Sequence, residues 1–309
     1  MNTEKRYLMM KLKHNIALMR KEWVLYFMIL PAFLYFGIFH IVPLIGMKLA
    51  FQDYRIIGDN VWVGLKHFEV LFDSPAFFSV LKNTIIISSM KIIFVFPIPI
   101  LLSLLINEVR NLHYRKYVQS IVYLPHFLSW VVIAGIWINL LSPIDGGVNV
   151  IRNFFQFPSL DYMTSKDQIR WVLVFSEMWR SAGWDSIIYL AAIMKISPSL
   201  YEAARMDGAS GLQQMRYITL PEMSSTIITV FILNLGFFMN AGFDQVINFM
   251  NDSVISVVDI LDTYVYRIGI LNGQYAYATA ASLFKGAIGV VLIFGTHLLA
   301  KRLTGKGVW

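Results

Sequence analysis

Cysteine is absent from this 309-residue chain, which excludes a disulfide framework, a thiolate metal site and a cysteine nucleophile. Charge is scarce as well: Asp, Glu, Lys and Arg make up 15% of the residues, against about 25% in an ordinary soluble domain. Missing too are the Walker A pattern that cradles nucleotide phosphates, the HExxH zinc pair and the GxSxG nucleophile elbow. His14, His40, His67, His113, His126 and His297 are scattered rather than gathered around a base. No catalytic residue and no metal-ligand set is therefore assigned. The formal net charge of +7 does not mark a nucleic-acid partner, because the basic residues form no single patch and no nucleic-acid motif accompanies them.

What the chain has instead is apolar sequence: 57% hydrophobic residues and a mean hydropathy of +0.60. The apolar residues run in long blocks, unlike the helical or strand periods of a soluble core. Crossing a hydrocarbon layer of about 30 Å takes about twenty helical residues. Six segments meet or approach that length: Trp23 to Phe51, Val80 to Asn107, Val118 to Leu141, Trp171 to Met194, Ser224 to Phe249 and Ala278 to Ala300. The expected fold is an all-α polytopic membrane protein of six transmembrane helices, with a cytoplasmic segment 1–22 before a transmembrane domain 23–309. A cleaved signal peptide is not expected, since the first apolar block is preceded by a polar, basic stretch and is too long for an h-region. Pro31, Pro43, Pro97, Pro99 and Pro125 lie in or beside the first three segments, where membrane helices tolerate breaks whose carbonyls find other partners.

Short cytoplasmic loops carry the excess of Lys and Arg. Lys5, Arg6, Lys11, Lys13, Arg20 and Lys21 precede the first segment; Arg110, Arg115 and Lys116 follow the second; Lys195, Arg205 and Arg216 follow the fourth; Lys301, Arg302 and Lys306 follow the sixth. Six crossings place all four groups on one side, so both termini are expected in the cytoplasm. Outside, Pro143, Gly146 and Gly147 form a turn cluster before an amphipathic piece at Val148 to Phe155. Residues Val254 to Ile270 alternate at helical spacing and are expected to lie flat on the outer surface.

One loop is too polar to cross the membrane: Ser197 to Pro221, SPSLYEAARMDGASGLQQMRYITLP. Ser197 before Pro198, or Ser199 before Glu202, signals a helix start. Gly208 permits a sharp turn, and a second helix from about Gly211 to Tyr217 runs toward Leu220 and Pro221. Glu202-Ala203-Ala204, then Gly208, Ile218 and Leu220-Pro221, at these spacings, resembles the EAA loop of the permease subunits of binding-protein-dependent ABC importers. Asp207 and Thr219 fit the form common among sugar permeases, while Met215 departs from the aromatic residue many relatives carry. LPHFLSW at Leu124 to Trp130, GWDSIIYLAA at Gly183 to Ala192 and DTYVYRIGI at Asp262 to Ile270 extend the resemblance, toward the branch that takes up polysaccharide fragments and oligosaccharides.

The resemblance implies a type I importer permease fold in the inner membrane of a bacterial cell and a coupling helix that docks on a cytoplasmic ATPase. Glu202, Ala203, Ala204, Asp207, Gly208, Ile218, Leu220 and Pro221 are the expected coupling residues. It implies a second permease, expected to be a different chain, two ATPase subunits that bind ATP and magnesium, and an extracytoplasmic solute-binding protein. This chain is expected to bind no cofactor and to be no enzyme. A sugar needs hydroxyl partners and flat apolar faces, so Asn234, Asn240 and Asp244 are pathway candidates, with Trp179 and Trp184 for stacking. Arg180 and Lys285 are the counter-charges if the cargo is acidic. Lys91, Glu177 and Asp185 are further ionisable groups at membrane depth, where such groups face a cavity or a partner; for Lys91 and Arg180, snorkelling weighs equally. An ABC permease for another solute, an ion-coupled secondary transporter and an intramembrane enzyme are the alternatives. The last two lack, respectively, inverted repeats and a catalytic cluster.

Overall fold

The computed structural model describes residues 21–304. The segment 1–22, save its last two residues, and the expected cytoplasmic charges Lys5 to Arg20 and Lys306 lie outside the described residues.

Among the described residues, four helical runs are long and apolar enough to cross a membrane: Trp23–Phe51, Pro75–Glu108, Gly211–Gly236 and Tyr275–Leu298. A fifth forms if Leu112–Phe127 and Trp130–Leu140, bent by 104° where they meet, count as one span. The bend replaces the straight third segment expected from hydropathy. Ser129 caps the second limb, its hydroxyl accepting the N–H of Val132 at 3.4 Å. We number the regular helices α1 (Trp23–Phe36), α2 (Lys66–Phe72), α3 (Pro75–Met90), α4 (Pro97–Glu108), α5 (Leu112–Tyr123), α6 (Trp130–Leu140), α7 (Gly147–Phe154) and α8 (Ile169–Ile193). Then come α9 (Pro198–Met206), α10 (Gly211–Gln214), α11 (Leu220–Gly236), α12 (Phe243–Phe249), α13 (Ile255–Val258), α14 (Leu261–Val265) and α15 (Tyr275–Thr304). With 25 residues, α8 is long enough to cross, about 37 Å at 1.5 Å per residue, but Arg170, Glu177, Arg180 and Asp185 dilute its hydropathy.

Proline shapes the long runs. Its ring clashes with the carbonyl four residues earlier and it offers no N–H, and three times the chain answers with a widened π-turn ending two residues before the proline. Gly37–Ile41 precedes Pro43, Lys91–Val95 precedes Pro97, and Met215–Thr219 precedes Pro221. The helix continues past each one, so Pro75–Glu108 and Gly211–Gly236 remain single spans. The second loop helix therefore does not end at Tyr217 but runs on into the membrane.

The fifth apolar segment does not run unbroken from Ser224 to Phe249. It stops at Gly236, turns through Gly242 at φ +100, and restarts as α12. Hydropathy missed the break because both halves are apolar. Nor does Val254 to Ile270 lie on the surface: Val258, Ile260 and Leu261 are buried, in cores shared with Ile87, Leu173 and Val246 on one side and Phe77 and Met239 on the other. The helical alternation read there is the inward face of α13 and α14.

Helix α5 lies so close to α8 that a Cβ on Gly183 would collide with the backbone carbonyl of Val122. Gly183→Ala is expected to destabilise the chain by about 1–3 kcal/mol, the usual cost of overpacking where backbone cannot yield. A thermal melt of the solubilised complex checks this, with Gly286→Ala as control: a Cβ at Gly286 meets nothing within 4 Å, and its midpoint should not fall.

Candidate functional site

The π-turn before Pro97 begins at Lys91, and the side chain of Lys91 leaves the helix there toward α8 and the broken fifth segment. An ammonium has three protons to donate, and Lys91 has three acceptors: Glu177 Oε2 on α8 at 3.0 Å, the Ala241 carbonyl at 2.8 Å and Gln245 Oε1 on α12 at 2.5 Å. Gln245 is fully buried, and its amide nitrogen donates to the Leu173 carbonyl at 2.7 Å and to Ser176 Oγ at 2.9 Å. The break thus occurs where its loose carbonyl finds a cation, the condition on which non-helical backbone is tolerated at membrane depth. Gly242 is required twice over: by its left-handed φ, and because a Cβ there would stand 2.8 Å from Lys91 Nζ.

Above this node opens a cavity of about 810 Å³, within the range of small-molecule sites. Polar groups from four elements face it: Ser88 and Lys91, Glu177 and Asp185 on α8, Asn234 on α11 and Asn240 in the break. Trp130, Trp184, Phe237 and Phe238 supply aromatic faces. The hydroxyl of Ser88 is buried and has no hydrogen-bond partner among the described residues. The Trp184 ring stacks on His126, centroids 4.4 Å apart at 3°.

Of the residues singled out in the sequence, Asn234, Asn240 and Trp184 line this cavity. Arg180 stands beside it, its guanidinium 5.0 Å from the ring of Trp130. Three others fall elsewhere. Lys285 pairs with Asp262, Trp179 packs edge-on against Trp137, and Asp244 is exposed in the first turn of α12, its carbonyl accepting from Asn248. The two proposed counter-charges therefore do not meet in one cavity. Lys91, weighed evenly in the sequence, is the cation that lines it, and Glu177 and Asp185 are the anions. Gln245 directly follows Asp244 in the sequence, but its burial could not be seen from there.

At the other end of the chain's polar regions, Ser197 precedes α9 in extended conformation, yet its hydroxyl meets Ser199 Oγ at 2.7 Å rather than capping the helix. Ser199 lies inside α9, so neither expected cap forms. Gly208 turns the chain at φ +79, and a capping box between Ser210 and Gln213, unnoticed in the sequence, starts α10. Tyr201 Oη and Thr219 Oγ1, 2.9 Å apart, close the hairpin. Glu202, Ala203, Asp207, Gly208 and Pro221 face outward and Ala204 is half-buried. Ile218 and Leu220 turn inward onto Leu104, Tyr189 and Met223. The expected coupling residues thus divide into an outer face and an inner root.

Comparison with known proteins gives a consistent picture. The family model described as "Binding-protein-dependent transport system inner membrane component" matches residues 96–305. A polygalacturonan/rhamnogalacturonan transport system permease protein, YteP of Bacillus subtilis (strain 168), is 42% identical over 304 residues, covering 97% of this chain and 94% of its own. Protein LplB of the same organism is 40% identical over 296 residues, covering 95% and 93%. Among solved structures, a bacterial ABC transporter involved in the import of the acidic polysaccharide alginate has a chain that superposes with a TM-score of 0.88 at 38% identity, covering 94% of this chain and 99% of that one.

Proposed function

This chain belongs to the family of binding-protein-dependent transport system inner membrane components, and from that premise we propose that it forms half of the translocation pathway for an oligosaccharide in an ATP-driven importer. It is a permease subunit of an ABC transporter and not an enzyme; hydrolysis belongs to the partner ATPase. The observation that carries the cargo reading is the near-complete match to a permease named for polygalacturonan and rhamnogalacturonan. Its chemical support is the cavity, where amides and carboxylates stand among tryptophan and phenylalanine faces, as a hydroxyl-rich ring with apolar C–H faces requires.

The assembly in this reading has this chain beside a second, different permease, over two ATPase subunits that hold ATP and magnesium, with a solute-binding protein delivering cargo from outside. The alginate importer has been solved with a saccharide-bound periplasmic protein, which supports such a partner here. Counting the bent pair and α8 as spans gives six crossings, and the Lys and Arg distribution then puts both termini in the cytoplasm. Glu202, Ala203, Ala204, Asp207, Gly208 and Pro221 form the face offered to the ATPase, with Ile218 and Leu220 as the root that passes its movement to α8 and α11. Asn234, Asn240 and Trp184 touch cargo, together with Ser88, Lys91, Glu177 and Asp185.

The test is ATPase activity of the complex in lipid, driven by binding protein loaded from a panel of neutral and acidic oligosaccharides. Stimulation by one class is the expected result and identifies the cargo chemistry. No response to any saccharide would overturn the cargo, and failure of an ATPase to co-purify would overturn the assembly.

A further inference from the structure

Between α6 and α8 the chain builds a small rigid body. Asn149 on α7 is buried, and its side-chain amide donates to the carbonyls of Ser142 and Leu160, both at 2.9 Å, while its oxygen accepts the N–H of Leu160 at 2.9 Å. One side chain thereby holds α7 against the end of α6 and against the segment that returns past Leu160. Arg152 donates twice to the Pro158 carbonyl, at 3.1 and 3.0 Å. The helix closes through Gln156 in the left-handed region, φ +61, with the N–H of Phe157 bonded to the Arg152 carbonyl at 2.9 Å. Every one of these polar groups is spent on the loop's own backbone.

What remains outward is apolar. Val150, Ile151 and Phe154 fall on one stripe of α7 and are all exposed, and Ile144, Phe155 and Phe157 extend it on both sides. Phe154 is 81% exposed and Ile144 90%. An amphipathic helix ordinarily turns such a stripe onto the core; here Asn149 and Val148 face the core and the stripe faces away.

We propose that α7 and the following Phe155–Phe157 turn lie in the outer membrane–water boundary, with the Val150, Ile151, Phe154 and Phe155 face in lipid. Three observations favour lipid over protein as the occupant. The Val150, Ile151, Phe154 and Phe155 face is itself wholly apolar, and the polar side chains beside it, Arg152 over the Phe157 ring and the exposed Asn153 and Gln156, fall on the other side of the helix, the division an interfacial helix shows. The span it follows also exposes apolar residues, Val132, Ile136 and Leu140 on α6, and Leu140 reaches the first residue of α7, its Cδ1 3.4 Å from where a Cβ on Gly147 would stand. And its position fits the level at which aromatic side chains collect in membrane proteins: α7 is bonded directly to the end of α6, through Asn149 and Ser142. A rigid interfacial plate at this point would fix the depth of α6 and of the start of α8, and so the depth of the cavity between them. The inference rests on the membrane reading of the chain and is indifferent to the cargo.

Absence of cysteine makes the test direct. Single spin labels are placed through Phe154→Cys and Phe155→Cys, with Asp145→Cys as the aqueous control and Val291→Cys, exposed within the Tyr275–Leu298 span, as the deep control. The complex, with any cysteines of the other subunits replaced, is reconstituted in vesicles. Labels at 154 and 155 are expected to be reached by oxygen more than by a water-soluble nickel chelate. They should report a depth of about 5–10 Å, as interfacial helices do, unchanged when binding protein is added. Chelate access equal to that at 145 overturns the proposal. Immobilisation with neither reagent admitted, whether constant or only with binding protein present, overturns it in favour of a protein interface. If the label at 291 is itself open to the chelate, the membrane reading fails rather than this one.

Discussion

Lys91→Met is expected to abolish saccharide-stimulated ATPase activity and uptake and to lower the thermal midpoint of the purified complex. The variant strands Glu177, the Ala241 carbonyl and the Gln245 oxygen together. Removing one partner from a buried pair costs about 3–5 kcal/mol; because 20% of the Glu177 side chain is still exposed, the lower end of that range applies. The pair itself is not what should matter most. Lys91→Met combined with Glu177→Met removes the stranded charge as well as its partner, and should recover stability relative to the sum of the single variants without recovering transport, since the Ala241 carbonyl still lacks its donor. A Lys91→Met complex that melts and transports like the parent would sink the role of this node. If the double variant were as destabilised as the sum, the two residues would act independently despite their 3.0 Å contact.

Gly208→Pro should be the second large effect. Proline fixes φ near −65°, whereas the native turn sits at +79, so α9 and α10 cannot keep their angle. A Cβ at this position would meet nothing within 4 Å; the defect is one of backbone direction alone, confined to a loop that faces outward. Membrane insertion and the melting of the spans should therefore survive, while ATPase stimulation and uptake fall to background. Glu202→Ala removes a single exposed carboxylate and should weaken co-purification of the ATPase without touching the fold. Unaltered uptake in both variants would remove the coupling assignment; loss of the folded chain in Gly208→Pro would make the turn structural.

Much of this architecture could be read from the residues, and the limits have physical causes. Long apolar runs such as Trp23–Phe51 announce themselves, since hydropathy is a local sum. The turn at Gly208 could be read because glycine between two helix-forming stretches has few other uses. The break between α11 and α12 could not be read, because its cause lies elsewhere in the chain: Lys91 is 150 residues from the carbonyl it binds and 154 from Gln245. Hydropathy also treats Val254 to Ile270 as an amphipathic surface piece, when its apolar positions are filled by contacts from α3 and α8. The cavity was half legible. Asn234, Asn240 and Trp184 fit the chemistry of a sugar and lie on its wall, yet Asp244 and Trp179 were chosen for the same chemistry and do not, since residue type says nothing of the direction in which a helix presents it.

The three widened turns before Pro43, Pro97 and Pro221 also bear on how such a chain can change length. Each accommodates one residue more than an α-helical turn would hold, so each is a site where a single-residue deletion could restore regular winding without cutting the helix. Because the extra residue is held within one turn, its removal there would leave the segments on either side in phase, whereas a deletion elsewhere in the span, where successive residues are about 100° apart, would rotate everything upstream relative to everything downstream. In the second span the widened turn begins at Lys91 itself, so a deletion inside it would take away the widening from which Lys91 reaches Glu177 and the Ala241 carbonyl. The span would still cross the membrane and would still be apolar. A deletion in the turn before Pro97 should accordingly be far less tolerated than the same change in the turn before Pro43, where the neighbouring helix buries no residue.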